Sequence, residues 1–130
     1  MIENYSNPSF EEGSRPIYWK DERRVHPRLQ CKGVARVAFT CLEAKIPGTL
    51  LDLSVAGCCI ELDSPMPAIE NPRVEVHLSV KGTALRVLGI VRQAVGGRRL
   101  GIEFTDVSSR RAEQIQALYA ELSEMQNSAR

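Results

Sequence analysis

In residues 73–80, RVEVHLSV, the apolar Val74, Val76, Leu78 and Val80 alternate without a break with Arg73, Glu75, His77 and Ser79. Side chains of a strand point to opposite faces in turn, so this pattern predicts a strand with one face in a core and the other in water. The same period recurs on both sides of it. Ala35, Val37, Phe39 and Cys41 share one face of an earlier strand that begins near residue 33. Pro47-Gly48 signals a turn. A second strand follows at 49–54, with Leu51 and Leu53 on one face and Asp52 and Ser54 on the other. Cys58, Ile60 and Leu62 align in a third strand, and the prolines of DSPMPAIENP mark a loop ahead of 73–80. Lys81-Gly82 is a tight turn into a long strand at 83–93, apolar on both faces, where Gly89 allows a bend. Gly96-Gly97 turns the chain into a last strand carrying Leu100, Ile102 and Phe104.

The period changes at Ser108, a residue type suited to capping a helix N-terminus. Ile115, Leu118, Tyr119, Leu122 and Met125 then follow the i, i+3, i+4, i+7 spacing of an amphipathic helix. The chain is thus all-β with a C-terminal helix. Short connections favour antiparallel pairing. Six half-polar strands close most readily into a barrel, which leaves no exposed edges. The helix either caps that barrel or packs on a partner. A length of 130 residues suits one such domain. Residues 1–20, rich in Asn, Ser, Glu, Gly and Pro, read as a flexible tail. Within it Ile17, Tyr18 and Trp19 form an apolar triplet suited to docking. Residues 21–107 form the barrel, and 108–130 the helix and a short tail.

No apolar run approaches the roughly 18 residues needed to span a membrane. The N-terminus lacks the basic-then-apolar pattern of an export signal, so the expected compartment is the cytoplasm. A net charge of +1 gives no bulk attraction for a polyanion. Cys31, Cys41, Cys58 and Cys59 show neither CxxC nor HxxxH spacing, so they read as reduced thiols and not as zinc ligands. Cys58 and Cys59, being adjacent, point to opposite faces of their strand. Catalytic signals are missing too. His26 and His77 are the only histidines, and no GxSxG, Walker loop, GxGxxG or HExxH occurs. The expectation is a protein that is not an enzyme and carries no metal or cofactor.

Two motifs remain. Lys20, Arg23, Arg24, Arg28, Lys32 and Arg36 crowd a short stretch that holds only Asp21 and Glu22 as counter-charges. Pro27 keeps that stretch extended. Its Arg24-x-x-x-Arg28 spacing is unspecific alone, since thirteen arginines in 130 positions give roughly one such pair by chance. Asp52-Leu53-Ser54-Val55-Ala56-Gly57 is rarer: the Asp, Ser and Gly content predicts roughly 0.02 chance occurrences of DxSxxG. Two residues apart on a strand, Asp52 and Ser54 are expected on one outer face. Gly57 supplies a positive-φ turn, or bare backbone where a ligand comes close. The bland alternative is a local turn in which Ser54 bonds its own backbone.

Arginine forks grip phosphate oxygens or the O6/N7 edge of guanine. Their planes also stack on purines. A carboxylate accepts from guanine N1–H and N2–H2, and a hydroxyl serves a base or a phosphate. Together the motifs point to a guanine nucleotide, leaving free nucleotide and RNA both open.

Arg23-Arg24-Val25-His26-Pro27-Arg28, then Asp52 to Gly57, on a six-strand pattern that ends in Leu100-Gly101-Ile102-Glu103-Phe104 and a helix, resembles a PilZ domain. The resemblance covers roughly residues 21–125. It implies a six-stranded antiparallel PilZ-type β-barrel capped by one α-helix, and a non-enzymatic receptor for the bacterial second messenger cyclic di-GMP (c-di-GMP). By that likeness Arg24 and Arg28 clamp guanine and phosphate from a mobile segment, residues 20–30, that orders on binding. Asp52 and Ser54 bond a guanine, and Gly57 keeps the turn open. Arg23 is similar to the residue in members that take two intercalated ligands. Output passes to a downstream protein partner, with no nucleic acid involved. The alternative within the family is an interaction adaptor that binds no nucleotide. A small-barrel RNA binder is the weakest reading, because seven aromatic residues offer few stacking platforms.

Overall fold

The computed structural model describes residues 27–128. Six strands, β1 (Leu29–Phe39), β2 (Ala44–Leu53), β3 (Gly57–Leu62), β4 (Arg73–Val80), β5 (Thr83–Val95) and β6 (Arg99–Thr105), precede one helix, α1 (Ser109–Ser128). They close in the order β1-β2-β3-β6-β5-β4, with β4 returning to β1. Every neighbouring pair is antiparallel. The expected barrel, its strand count and its helix are all present.

The alternation of β4 holds along its full length. Val74, Val76, Leu78 and Val80 are buried, while outside them Glu75 reaches Arg86 at 3.2 Å and His77 at 3.4 Å. Lys81 (φ 51°) and Gly82 (φ 82°) both take the left-handed conformation. Two such residues match the right-handed twist of the strands they join. Gly96 (φ 64°) and Gly97 (φ 73°) do the same between β5 and β6.

The β1–β2 connection departs from expectation. The turn lies at residues 40–43, with Glu43 at φ 52°, and it takes Cys41 off the strand face into solvent. Pro47 sits inside β2 opposite Arg36, and its carbonyl accepts the Asp63 N–H at 2.8 Å. Gly48 stands so close to the Glu61 carbonyl that a side chain would collide there. Close strand approach, and not chain reversal, explains this Pro-Gly pair. β1 also starts earlier than expected, since Leu29 and Gln30 pair with Leu53 and Asp52. The last two residues of the 20–30 segment are therefore strand.

Three bulges interrupt the ladder, at Gln30/Gly33 on β1, Leu50/Asp52 on β2 and Val91/Gln93 on β5. Each puts one extra residue in its strand and resets which side faces inward. On β2 the extra residue is Leu51. Leu50 and Leu53 are consequently both fully buried, whereas plain alternation would have paired Leu51 with Leu53. Beyond its bulge β5 runs on to Val95, two residues past the expected end.

The core joins Phe39, Leu50, Leu53, Ile60, Leu62 and Leu100 to Ile115, Leu118 and Leu122 of the helix. α1 thus packs on its own barrel, which decides the alternative left by the sequence. Ser108 caps it, its Oγ accepting the Arg111 N–H at 3.1 Å. At the far end the Gln126 side-chain amide donates to the Gln30 carbonyl.

Two outcomes follow from this packing. Leu118→Ala removes a buried helix anchor and should cost about 2–5 kcal/mol in denaturant titration. Gly57, where a Cβ would run into the Ile102 carbonyl of β6, should not accept a side chain: Gly57→Ala is expected to cost roughly 1–3 kcal/mol, read as a lower melting temperature.

Candidate functional site

The residues of the DxSxxG motif end in different places. Asp52 is the second residue of the β2 bulge pair, and the extra Leu51 before it lets Asp52 face outward while Leu50 and Leu53 fill the core. Gln30 lies opposite it on β1 and Cys59 on β3. Cys59 in turn faces Gly101 on β6, and Gly101 faces Gln93 on β5. Cys58 and Ile60 point inward on either side of Cys59, and Leu100 and Ile102 do so beside Gly101. A single row across the outer face thus runs from a carboxylate over a thiol and bare backbone to an amide.

The Asp52 carboxylate is half-buried. Its Oδ1 is fully shielded and has no hydrogen-bond partner among the described residues. A shielded carboxylate oxygen without a donor is costly, so such an atom marks a place built for one. The field of this carboxylate reaches its neighbours. The Cys59 thiol is pushed up first by burial and then by Asp52, while Arg28 and Arg99 pull it down. Burial, then Asp52, also raises the Cys31 thiol. Cys58 is raised far out of the titratable range, chiefly by its complete burial. These thiols are protonated, small hydrophobes, and all four cysteines are unpaired.

Arg28 is exposed immediately ahead of β1. It is near enough to act on both Cys58 and Cys59. Arg28 precedes Leu29, the register partner of Leu53, and so stands at the Asp52 end of the β1–β2 ladder. Arg23 and Arg24 lie outside the described residues, as do Tyr18 and Trp19.

Ser54 is not displayed beside Asp52. It follows the end of β2 and is only 4% exposed. Its Oγ accepts the Ala56 and Gly57 N–H groups, each at 3.1 Å, and donates to the Gly57 carbonyl at 3.3 Å. The Ser54 N–H reaches the same carbonyl at 2.8 Å. The chain has left the strand at this point, so period two no longer governs where the side chain goes. The local-turn alternative describes this hydroxyl. Gly57 likewise has no positive φ. Its missing Cβ makes room for the Ile102 carbonyl, which fixes β3 against β6. Ser54 and Gly57 hold the turn that joins β2, the strand of Asp52, to β3.

Sequence reasoning passed over Cys59, Gly101 and Arg99 around this carboxylate. Alternation places Cys59 outside, but only the β3–β6 pairing brings Gly101 and Arg99 beside it. No group of three or more metal-ligating side chains gathers among the described residues. No helix of the described residues is long and apolar enough to cross a membrane.

The PilZ domain family model matches residues 22–121. No curated protein sequence matches the chain. Among solved structures, the barrel is similar to the PilZ domain of YcgR from Escherichia coli determined with c-di-GMP, at 16% identity and a TM-score of 0.70, over 82% of this chain and 96% of that one. The PilZ domain of CeSA from a cellulose-synthesizing bacterium aligns at 19% identity and a TM-score of 0.63, over 74% and 97% of the two chains. The Bacillus subtilis inhibitor of motility MotI/DgrA aligns at 14% identity and a TM-score of 0.66, over 83% of this chain and 53% of that one. With its six-stranded closed barrel, its capping helix and a family match that takes in both arginines and the DxSxxG segment, this chain belongs to the PilZ domain family.

Proposed function

We propose that this protein is a cytoplasmic, non-enzymatic receptor for c-di-GMP that signals through ordering of its N-terminal arginine segment. The observation that carries the reading is the shielded Oδ1 of Asp52 on the outer face of the barrel, without a donor among the described residues, with Arg28 just ahead of the adjoining strand. Guanine N1–H and N2–H2 are the paired donors such a carboxylate accepts, and a guanidinium matches a phosphate or the guanine O6/N7 edge. Family membership supports the same ligand, and YcgR, solved with c-di-GMP, is among the structures of similar fold.

In this reading Asp52 holds a guanine edge, and Arg28, Arg24 and Arg23 close on phosphate and base from the segment ahead of β1. A dianionic ligand offsets the mutual repulsion of these arginines and draws the segment over the shelf. Ordering of this kind changes the exposed surface, which a downstream protein then reads. Ser54 and Gly57 contribute by fixing the turn after Asp52. The unpaired thiols fit a reducing compartment.

Titration calorimetry with c-di-GMP tests the reading, with GTP and linear diguanylate as controls. Wild type should bind the cyclic dinucleotide. Arg28→Ala and Asp52→Ala should each give no measurable heat at concentrations that saturate wild type, with melting curves unchanged because both residues sit outside the core. Equal binding by wild type and both variants overturns the site, and no binding by wild type leaves the adaptor reading in its place. Trp19 emission should shift on saturation with c-di-GMP; an unaltered spectrum argues against movement of the tail.

A further inference from the structure

We propose that Arg99 is a further ligand-binding residue of this face, an anion grip that Glu61 occupies until a phosphate displaces it. The inference rests on the c-di-GMP reading and extends the site from β2 across β3 to β6. Glu61 and Arg99 form the register pair one two-residue step along from Cys59 and Gly101. Strand side chains two apart share a face, so Arg99 stands on the same outer surface as Asp52 and Cys59. Its Nη2 donates to Glu61 Oε1 at 3.0 Å.

That pair is built to open. The two side chains are 58% and 48% exposed and share a single contact, and an exposed ion pair of this kind contributes only about 0–1 kcal/mol. A phosphodiester offers two acceptor oxygens, which a guanidinium takes as a fork. It therefore outcompetes one carboxylate oxygen for Arg99.

The floor between Asp52 and Arg99 favours a flat ligand. Cys59 is small and Gly101 has no side chain. The β2-to-β6 step covers two strand spacings, about 10 Å. A guanine bonded at its edge by Asp52 lies across Cys59 and Gly101, and its sugar-phosphate then comes to the Arg99 side of the row. Arg99 and Arg28 both act on the Cys59 thiol, so both guanidinium groups lie within electrostatic reach of this floor.

The test is calorimetry with c-di-GMP on wild type, Arg99→Ala, Glu61→Gln and the double variant, with melting curves to separate folding from binding. Arg86→Ala, whose guanidinium pairs with Glu75 of β4, is the control charge deletion. Arg99→Ala should weaken binding on the order of tenfold. Glu61→Gln should tighten it severalfold, and that gain should vanish in the double variant. Mass-spectrometric mapping of maleimide labelling should find Cys59 protected by the ligand, while Cys41, on the turn at the far end of β2, labels as before. Wild-type binding with Arg99→Ala changed by no more than about twofold, the same as Arg86→Ala, overturns the role of Arg99 alone. An unaltered Kd in Glu61→Gln overturns the competition. No binding by wild type overturns the receptor reading and this inference with it.

Discussion

One extra residue in β2 decides what this barrel presents to solvent. Leu50 and Leu53 both seal the core, and they can do so only because Leu51 is accommodated as a bulge opposite β3. With strict alternation from Leu50, Asp52 would point inward, and a carboxylate in that apolar interior would cost several kcal/mol. The bulge instead sets Asp52 on the outer face in register with Cys59 while Leu50 and Leu53 fill the interior beside it. The position of the charge is thus fixed by core packing, and the shelf around it inherits that rigidity.

The two polar residues of the motif divide the work. Ser54 uses its hydroxyl within its own turn, accepting twice and donating once, and has nothing left to offer outward. Asp52 keeps one shielded oxygen unmatched among the described residues. Spaced two apart in sequence, they look equivalent; in space one is scaffold and the other is available. Gly57 belongs with the scaffold, because its bare Cα admits the β6 backbone.

Much of the architecture was legible because its signals are local. Period two marked most of the strands from residue 33 onward, though not the start or the inward face of β2, and Lys81-Gly82 and Gly96-Gly97 marked turns through their tolerance of positive φ. Ser108 and the Ile115–Leu118–Leu122 stripe marked the helix. What stayed hidden depends on contacts distant in sequence. Pro47-Gly48 reads as a turn until β1 and β3 are placed on either side of it. The bulge at Leu51 needs β3 for its definition, and Arg99 enters the neighbourhood of Asp52 only through the β3–β6 pairing. The motifs single out Asp52 and Arg28 by residue type; for Ser54 they left two readings open, and the turn is the one the structure adopts, because the strand stops one residue before it.

The return of β4 to β1 has a bearing on how a second macromolecule engages this domain. Each of the six strands is bonded on both flanks over at least part of its length. Among the described residues, docking by main-chain β-augmentation, which requires a free strand flank, is confined to stretches beyond the ladders, such as Leu29–Gly33 of β1, which has no partner on β4. Over the laddered stretches recognition is written in side chains, so charge reversals on the outer faces are the changes that separate one binding surface there from another.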